Sequence, residues 1–181
     1  MLVFAGAWIV SQAARPVALK PLIRLEVDLG PGVSLGSSYG PDVMLSPDGT
    51  RLVYATHGQL FTRRLDVSKA TELAGSTGAF APFLSPDGEW VAFFAGSKLK
   101  KLSLDGGEPV VLCDAPLAAG GSWGSDGTII AALSSLGPLS RISAGGGVPA
   151  RVTQLEPGEL THRWPQCCLG VRRSYLPQVH L

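Results

Sequence analysis

The chain has 181 residues, 45% of them hydrophobic and 16% charged, which is one domain's worth of sequence and too apolar for a disordered one. Its formal net charge is +1 and its basic residues are scattered, so there is no electrostatic case for nucleic-acid binding. Its 23 glycines and 14 prolines, set between short apolar runs, point to many turns and an all-β chain.

Leu2 to Val10 is uncharged and apolar, and Ser11-Gln12-Ala13 follows it. The run is shorter than the ~20 residues that span a bilayer. It has the length of a signal-peptide core but lacks the basic residues that usually precede one. Three readings fit: a secretion signal, the outer half of a membrane helix, or a buried segment. The first two place the rest of a bacterial chain outside the cytoplasm, periplasmic or membrane-anchored, with membrane association through residues 2–10. Residues 1–14 are read as this hydrophobic segment and 15–21 as a linker interrupted by Pro16 and Pro21. In the next stretch Ile23, Leu25, Val27 and Leu29 alternate with Arg24, Glu26 and Asp28. That predicts a strand with one wet face over 22–29, placed where an outermost strand would close a ring.

Three copies of one turn then recur: Ser46-Pro47-Asp48-Gly49, Ser85-Pro86-Asp87-Gly88 and Gly124-Ser125-Asp126-Gly127. The aspartates are 39 residues apart, from 48 to 87 and from 87 to 126. A fixed period of this size means stacked copies of one supersecondary unit. Proline presets φ, aspartate accepts backbone N–H bonds two residues on, and glycine supplies positive φ. Pro47, Asp48, Gly49, Pro86, Asp87, Gly88, Asp126 and Gly127 are therefore read as structural turn formers, not ligands.

More than the turn repeats. Leu45, Leu84 and Trp123 precede it; Leu52, Val91 and Ile130 follow it. Leu60, Leu65 and Leu73 match Leu99, Leu104 and Leu112. A second loop matches Asp66, Asp105 and Ala144, and the register runs to Arg151, where Val152 implies a one-residue slip. The units are about 41–79, 80–118 and 119–157, each of four short strands. In the second they are expected at Ala81–Leu84, Trp90–Ala95, Leu99–Leu104 and Pro109–Cys113. The second strand of each unit is apolar on both faces, as a strand covered on both sides would be. The third carries charge, as in Lys98-Leu99-Lys100-Lys101-Leu102, and is expected nearer the rim.

Units of four strands and about 40 residues are the mark of propeller blades. The three turns with their flanking apolar residues resemble the WD-repeat-like β-propellers of the TolB type. The resemblance covers about 41–155 and implies a partial β-propeller of about three four-stranded antiparallel blades, within 22–165. A narrower set is similar to the extracytoplasmic C-terminal region of bacterial membrane serine/threonine kinases. It comprises the hydrophobic segment, Arg24–Gly32, Leu99–Ser103 and His162-Arg163-Trp164-Pro165-Gln166. There a propeller sits outside a membrane helix. The chain itself has no Gly-rich phosphate loop and no His-Arg-Asp catalytic loop, so no kinase activity is implied for it. Residues 166–181 depart from the pattern. Arg172 and Arg173 fall where a buried strand would begin, so a fourth blade starts and is not completed, and the tail from Cys167 is expected to be poorly ordered.

No residue set reads as catalytic, cofactor-binding or metal-binding. Gly120-Gly121-Ser122-Trp123-Gly124 matches the nucleophile-elbow pattern, but that motif needs a strand-turn-helix setting, and Ser122 aligns inside a blade strand. His57 reads as a turn residue and His162 as a structural histidine. Cys113 reads as a buried small hydrophobe, and Cys167 and Cys168 have no zinc-type partners. Gly145–Gly147 read as a flexible turn without a helix N-terminus to help hold an anion. The expectation is a non-enzymatic module binding a protein or small ligand, a sensor-type fragment of a larger membrane protein, without cofactors. The alternatives are an accessory propeller fragment of a hydrolase or peptidase, and a truncated product without function. Three blades do not close a ring of ~4–8. Leu52–Ala55 and Ile129–Ala132 are therefore expected to leave one side partly uncovered, and self-association through open blade faces is expected.

Overall fold

The structure, a computed structural model, describes residues 26–29, 33–36 and 40–167. The hydrophobic segment 1–14, the linker 15–21, the first half of the 22–29 strand and the tail beyond Cys167 lie outside the described residues. The fold is all-β: twelve strands in three four-stranded antiparallel sheets, with no helix among the described residues. Blade 1 contains β1 (Val43–Leu45), β2 (Arg51–Thr56), β3 (Gln59–Arg64) and β4 (Thr71–Glu72). Blade 2 contains β5 (Phe80–Leu84), β6 (Trp90–Ala95), β7 (Lys98–Ser103) and β8 (Val110–Asp114). Blade 3 contains β9 (Gly121–Trp123), β10 (Thr128–Ala131), β11 (Ser140–Ser143) and β12 (Ala150–Arg151). In each, sequence neighbours are sheet neighbours, so every blade is a meander.

The stacking follows from side-chain alternation. Phe93 and Phe94 are adjacent in β6 and both fully buried, because consecutive side chains leave a strand on opposite faces. Phe93 joins Val91, Ala95, Leu102 and Leu104 against Val53, Ala55, Leu60 and Leu73 of blade 1. Phe94 joins Phe83, Ala92 and Leu99 against Ile129, Ala131 and Ile142 of blade 3. Blade 2 thus has an apolar core on each face, which is why its second strand shows no polar alternation. Each phenylalanine contributes on the order of 2–3 kcal/mol of burial.

Blade 3 departs from the sequence register, and one missing hydroxyl accounts for it. In blades 1 and 2 the turn serine closes a six-residue connection. Ser46 Oγ accepts from Arg51 N at 2.9 Å, and Ser85 Oγ accepts from Trp90 N at 2.9 Å. Blade 3 has Gly124 in that place, which offers no such acceptor. Its connection is one residue shorter: Gly124 N donates to Thr128 O, where Ser46 N donates to Arg51 O and Ser85 N to Trp90 O. Consequently Ile129, not Ile130, is the counterpart of Leu52 and Val91. Trp123 pairs with Ile129 as Leu45 pairs with Leu52 and Leu84 with Val91. An uncompensated slip would turn the strand's apolar set outward. Two extra residues enter between β10 and β11, so Ile129 and Ile142 stay opposite each other as Val91 and Leu102 do. The second loop is displaced by one residue in the other direction: Gly146 N donates to Ser143 O as Gly106 N does to Ser103 O, making Gly145 rather than Ala144 the counterpart of Asp105. Val152 then takes the place of Leu73, each donating its N–H to the equivalent leucine carbonyl, Leu139 and Leu60.

One expectation about the flanks is corrected. Glu26–Leu29 carry no strand. Asp28 and Ser34 meet side chains on the outer face of blade 1 instead: Arg63 donates to the Asp28 carbonyl, and Ser34 N and O both bond Thr56 Oγ1 at 3.3 Å. On that same face Tyr54 is buried and its ring stacks on Phe61 at 5.4 Å between centroids. On the far side of blade 3, Ala132 and Leu139 are buried while Ile130 packs partly exposed beside them. There Thr153 Oγ1 accepts from Leu139 N at 2.8 Å, and Trp164 N donates to Ala119 O at 3.0 Å. On these outward sides Tyr54 and Ala132 are buried while Leu52 and Ile130 stay partly exposed, so each flanking second strand is partly uncovered, as expected.

Candidate functional site

The three turns lie side by side on one rim. Gly88, at φ +73°, sits so near the first turn that a Cβ there would be 3.3 Å from Pro47 Cδ. The second and third turns line a common groove. Each aspartate acts on its own turn. Asp48 Oδ1 accepts from Thr50 N at 3.1 Å, Asp87 Oδ1 from Glu89 N at 3.0 Å and Asp126 Oδ1 from Thr128 N at 3.0 Å. Ser46 and Ser85 hydroxyls add a donated bond to Asp48 and Asp87. These bonds favour the charged carboxylates. Asp48 is lowered to about 2, chiefly by the Ser46 hydroxyl, then by Thr50. Asp87 is lowered chiefly by Ser85, and Asp126 chiefly by the Thr128 N–H. Pro47, Gly49, Pro86 and Gly127 complete the turns, with Gly49 at φ +74° and Gly127 at φ +76°.

Between neighbouring blades this rim carries two grooves of unlike character that share three positions: Arg51, Thr62 and Leu104 in the first, Trp90, Lys101 and Ala144 in the second. The first, about 280 Å3, is bridged: Arg51 of β2 reaches Asp105, beyond β7 of blade 2, at 2.9 Å. Arg64, Lys69, Thr71 and Thr62 also line it. The Thr62 hydroxyl is buried without a hydrogen-bond partner. In the second groove, about 310 Å3, Trp90 replaces Arg51, Lys101 replaces Thr62 and Gly145 stands where Asp105 would be. The bridging ion pair is therefore impossible. Trp90 and Trp123 line the groove with Asp87 and the Gly124-Ser125 backbone, and the Lys101 ammonium lies 4.6 Å from the centre of the Trp90 ring. A cation over an indole, a second indole and a charged carboxylate make this groove a surface that can stack a flat group and bond a polar one. Nothing in residue spacing marked Trp90 and Trp123 as neighbours; the stacking of blades brings them together.

The other candidates have local roles. Ser122 Oγ accepts from Cys167 N at 2.9 Å, and neither His57 nor His162 is its partner. His57, at φ +50°, has its Nδ1 3.2 Å from Thr56 Oγ1. His162 joins Thr153 at 2.8 Å and Glu159 at 3.1 Å, and Glu159 is lowered chiefly by the Glu156 N–H it accepts. The glycine loop spends its N–H groups internally: Gly145 on Ser143 Oγ, Gly146 on Ser143 O and Gly147 on Leu112 O. Cys113 is buried, and burial pushes its thiol up. Among the described residues no cluster of three or more His, Cys, Asp or Glu stands at metal-binding distance, and no helix is long and apolar enough to cross a membrane.

No protein-family model matches the chain, and no curated protein does. Among solved structures it is similar to a TolB-type protein of Agrobacterium tumefaciens, with a TM-score of 0.56 at 22% identity over 68% of this chain and 48% of that one. It is also similar to the hydrazine synthase of Kuenenia stuttgartiensis, with a TM-score of 0.53 at 18% identity over 68% of this chain and 38% of that one. The chain spans less than half the length of either. The likeness establishes the fold: a partial β-propeller.

Proposed function

We propose that the chain is a non-enzymatic propeller module that binds a protein or a small ligand on its turn-bearing rim, as the sensor-type portion of a larger membrane protein. The observation that carries the reading is the contrast between the two grooves. The first is bridged by the Arg51–Asp105 pair, whereas the second holds Trp90, Trp123 and Lys101 without a bridge. A residue set that could activate a nucleophile would need a base within hydrogen-bond reach, and Ser122 is engaged by Cys167 N instead. The resemblance to the outer region of membrane kinases, and the apolar Leu2–Val10 run, support a location outside the cytoplasm.

The test is site-directed photo-crosslinking in a bacterial envelope, with the crosslinker at Ser125 on the groove's edge. The reading expects one defined adduct that disappears in Trp90→Ala and in Lys101→Glu but persists in Arg64→Ala at the first groove. An adduct indifferent to all three substitutions overturns it. So does esterase, peptidase or kinase turnover by purified protein that Ser122→Ala abolishes while the fold is kept.

A further inference from the structure

The two rim grooves differ in what their charges are bound to. In the first, Arg51 is held by Asp105 and Arg64 by Asp66. In the second, Asp87 and Lys101 line one groove without pairing. Among the described residues no carboxylate pairs with the Lys101 ammonium, which lies over the Trp90 ring instead. Asp87 spends Oδ1 on its own turn, accepting from Ser85 Oγ and Glu89 N, and its Oδ2 bonds none of the described residues. Its counterpart Asp48 has both oxygens engaged, because Thr50 gives its hydroxyl to Oδ2 at 2.6 Å where blade 2 has Glu89. The second groove thus holds an uncommitted acceptor and an uncommitted donor. It also holds two indoles, Trp90 and Trp123, each only partly buried.

We infer that this groove takes one ring of a neutral sugar, an inference that rests on reading the groove as the binding site. The charges argue against an ion. A ligand anion meets Asp87 and a ligand cation meets Lys101, whereas hydroxyls donate to the first and accept from the second. The indoles argue for a ring with an apolar face, since the C–H face of a pyranose packs flat on an aromatic ring while its hydroxyls stay at the edge. The volume, about 310 Å3, lies at the small end of the ~300–1,000 Å3 range of ligand pockets and suits one ring rather than a length of peptide. Trp123 belongs to this groove alone: it stands where blades 1 and 2 have Leu45 and Leu84. The first groove has Arg51 and Thr62 in place of Trp90 and Lys101, so it is not a second copy of the site.

The test is saturation-transfer NMR on the purified full chain with methyl glucoside, cellobiose, maltose and N,N′-diacetylchitobiose, between about 0.1 and about 20 mM. Glucosamine, glucuronate and free phenylalanine serve as cationic, anionic and zwitterionic counterparts. The expected result is transfer to the C–H protons of at least one neutral sugar, saturating in that range and at lower concentration than for any charged probe. Trp90→Ala abolishes it. Asp87→Asn, which keeps an Asx turn, and Lys101→Met each weaken it at least about fivefold with the far-UV spectrum kept. Arg64→Ala, at the first groove, leaves it intact. Saturation by no neutral sugar overturns the inference. So does tighter binding of a charged probe, or binding indifferent to Trp90→Ala, Asp87→Asn and Lys101→Met. The two readings fail separately. A Ser125 adduct that needs Trp90 but is a protein, undisplaced by any of these sugars, keeps the rim reading and sinks this one. Sugar transfer that needs Trp90 and Asp87 upholds the sugar site whatever the envelope adduct shows.

Discussion

Gly121 of β9 faces the ring of Phe83 in β5 so closely that a Cβ on Gly121 would lie 2.5 Å from Phe83 Cε1 and 2.7 Å from its Cζ. The innermost strands of blades 2 and 3 approach through this pair, and only the missing side chain permits the distance. Gly121→Ala is therefore expected to force Phe83 off its position, at a cost of about 1–3 kcal/mol. In a Phe83→Leu background, where the ring edge is gone, the same change should cost markedly less. Urea unfolding of the four proteins checks this as a double-mutant cycle, and additive losses would refute the contact.

The turn serines are the next test. Ser85→Ala removes the acceptor of Trp90 N and the hydroxyl bonded to Asp87. These N–H groups are partly buried, so losing the acceptor should cost on the order of 1 kcal/mol. Ser46→Ala should behave alike through Arg51 N. The reverse change, Gly124→Ser, should not stabilise blade 3, because a Cβ there would be 2.9 Å from Asp126 Oδ1 and 3.3 Å from Thr128 O. Denaturation midpoints of the three variants decide the matter.

The rim aspartates give the stability a definite acid dependence. Asp48 titrates at about 2 in the folded chain against 3.8 for the free group, and Asp87 and Asp126 are also lowered. A carboxylate with a lower pKa in the folded state stabilises the fold above the unfolded value and loses that contribution as pH falls through the folded one. Stability should thus be flat from neutral pH down to about 4 and fall between about 4 and about 2. Asp48→Asn should flatten the fall. Melting temperature followed across that range in wild type and variant is the measurement.

Thr62→Val is expected to be neutral or stabilising by about 1 kcal/mol, since it deletes a buried hydroxyl that has no partner and keeps the β-branched shape. A clear loss of stability, seen by thermal unfolding, would mean that the hydroxyl is engaged in solution.

Equivalent positions should respond unequally along the array. Leu73→Ala empties a fully packed site and should cost about 2–5 kcal/mol. Val152→Ala, at a half-open counterpart, should cost under about 1 kcal/mol. Equal losses would show that the blade 3 flank is as closed as the other.

The blade count, the turn positions and the doubly apolar second strands were legible in the residues, because each is set by local chemistry. Pro47-Asp48-Gly49 needs only its own N–H and C=O groups to make a turn, and Phe93-Phe94 needs only alternation to serve two faces. The register of blade 3 was not legible. Gly124 looks like an acceptable turn residue in sequence, and its effect appears only when the unaccommodated N–H shortens the connection by one and displaces Ile129 for Ile130. The 22–29 alternation likewise named a strand, but alternation cannot say whether a partner edge is within reach, and Glu26–Leu29 lie where side-chain bonds to blade 1 take its place. The groove of Trp90, Trp123 and Lys101 depends on contacts between blades. Its members are 33 positions apart in the chain, from 90 to 123, and meet only because the cores on either face of β6 fix the spacing of the sheets.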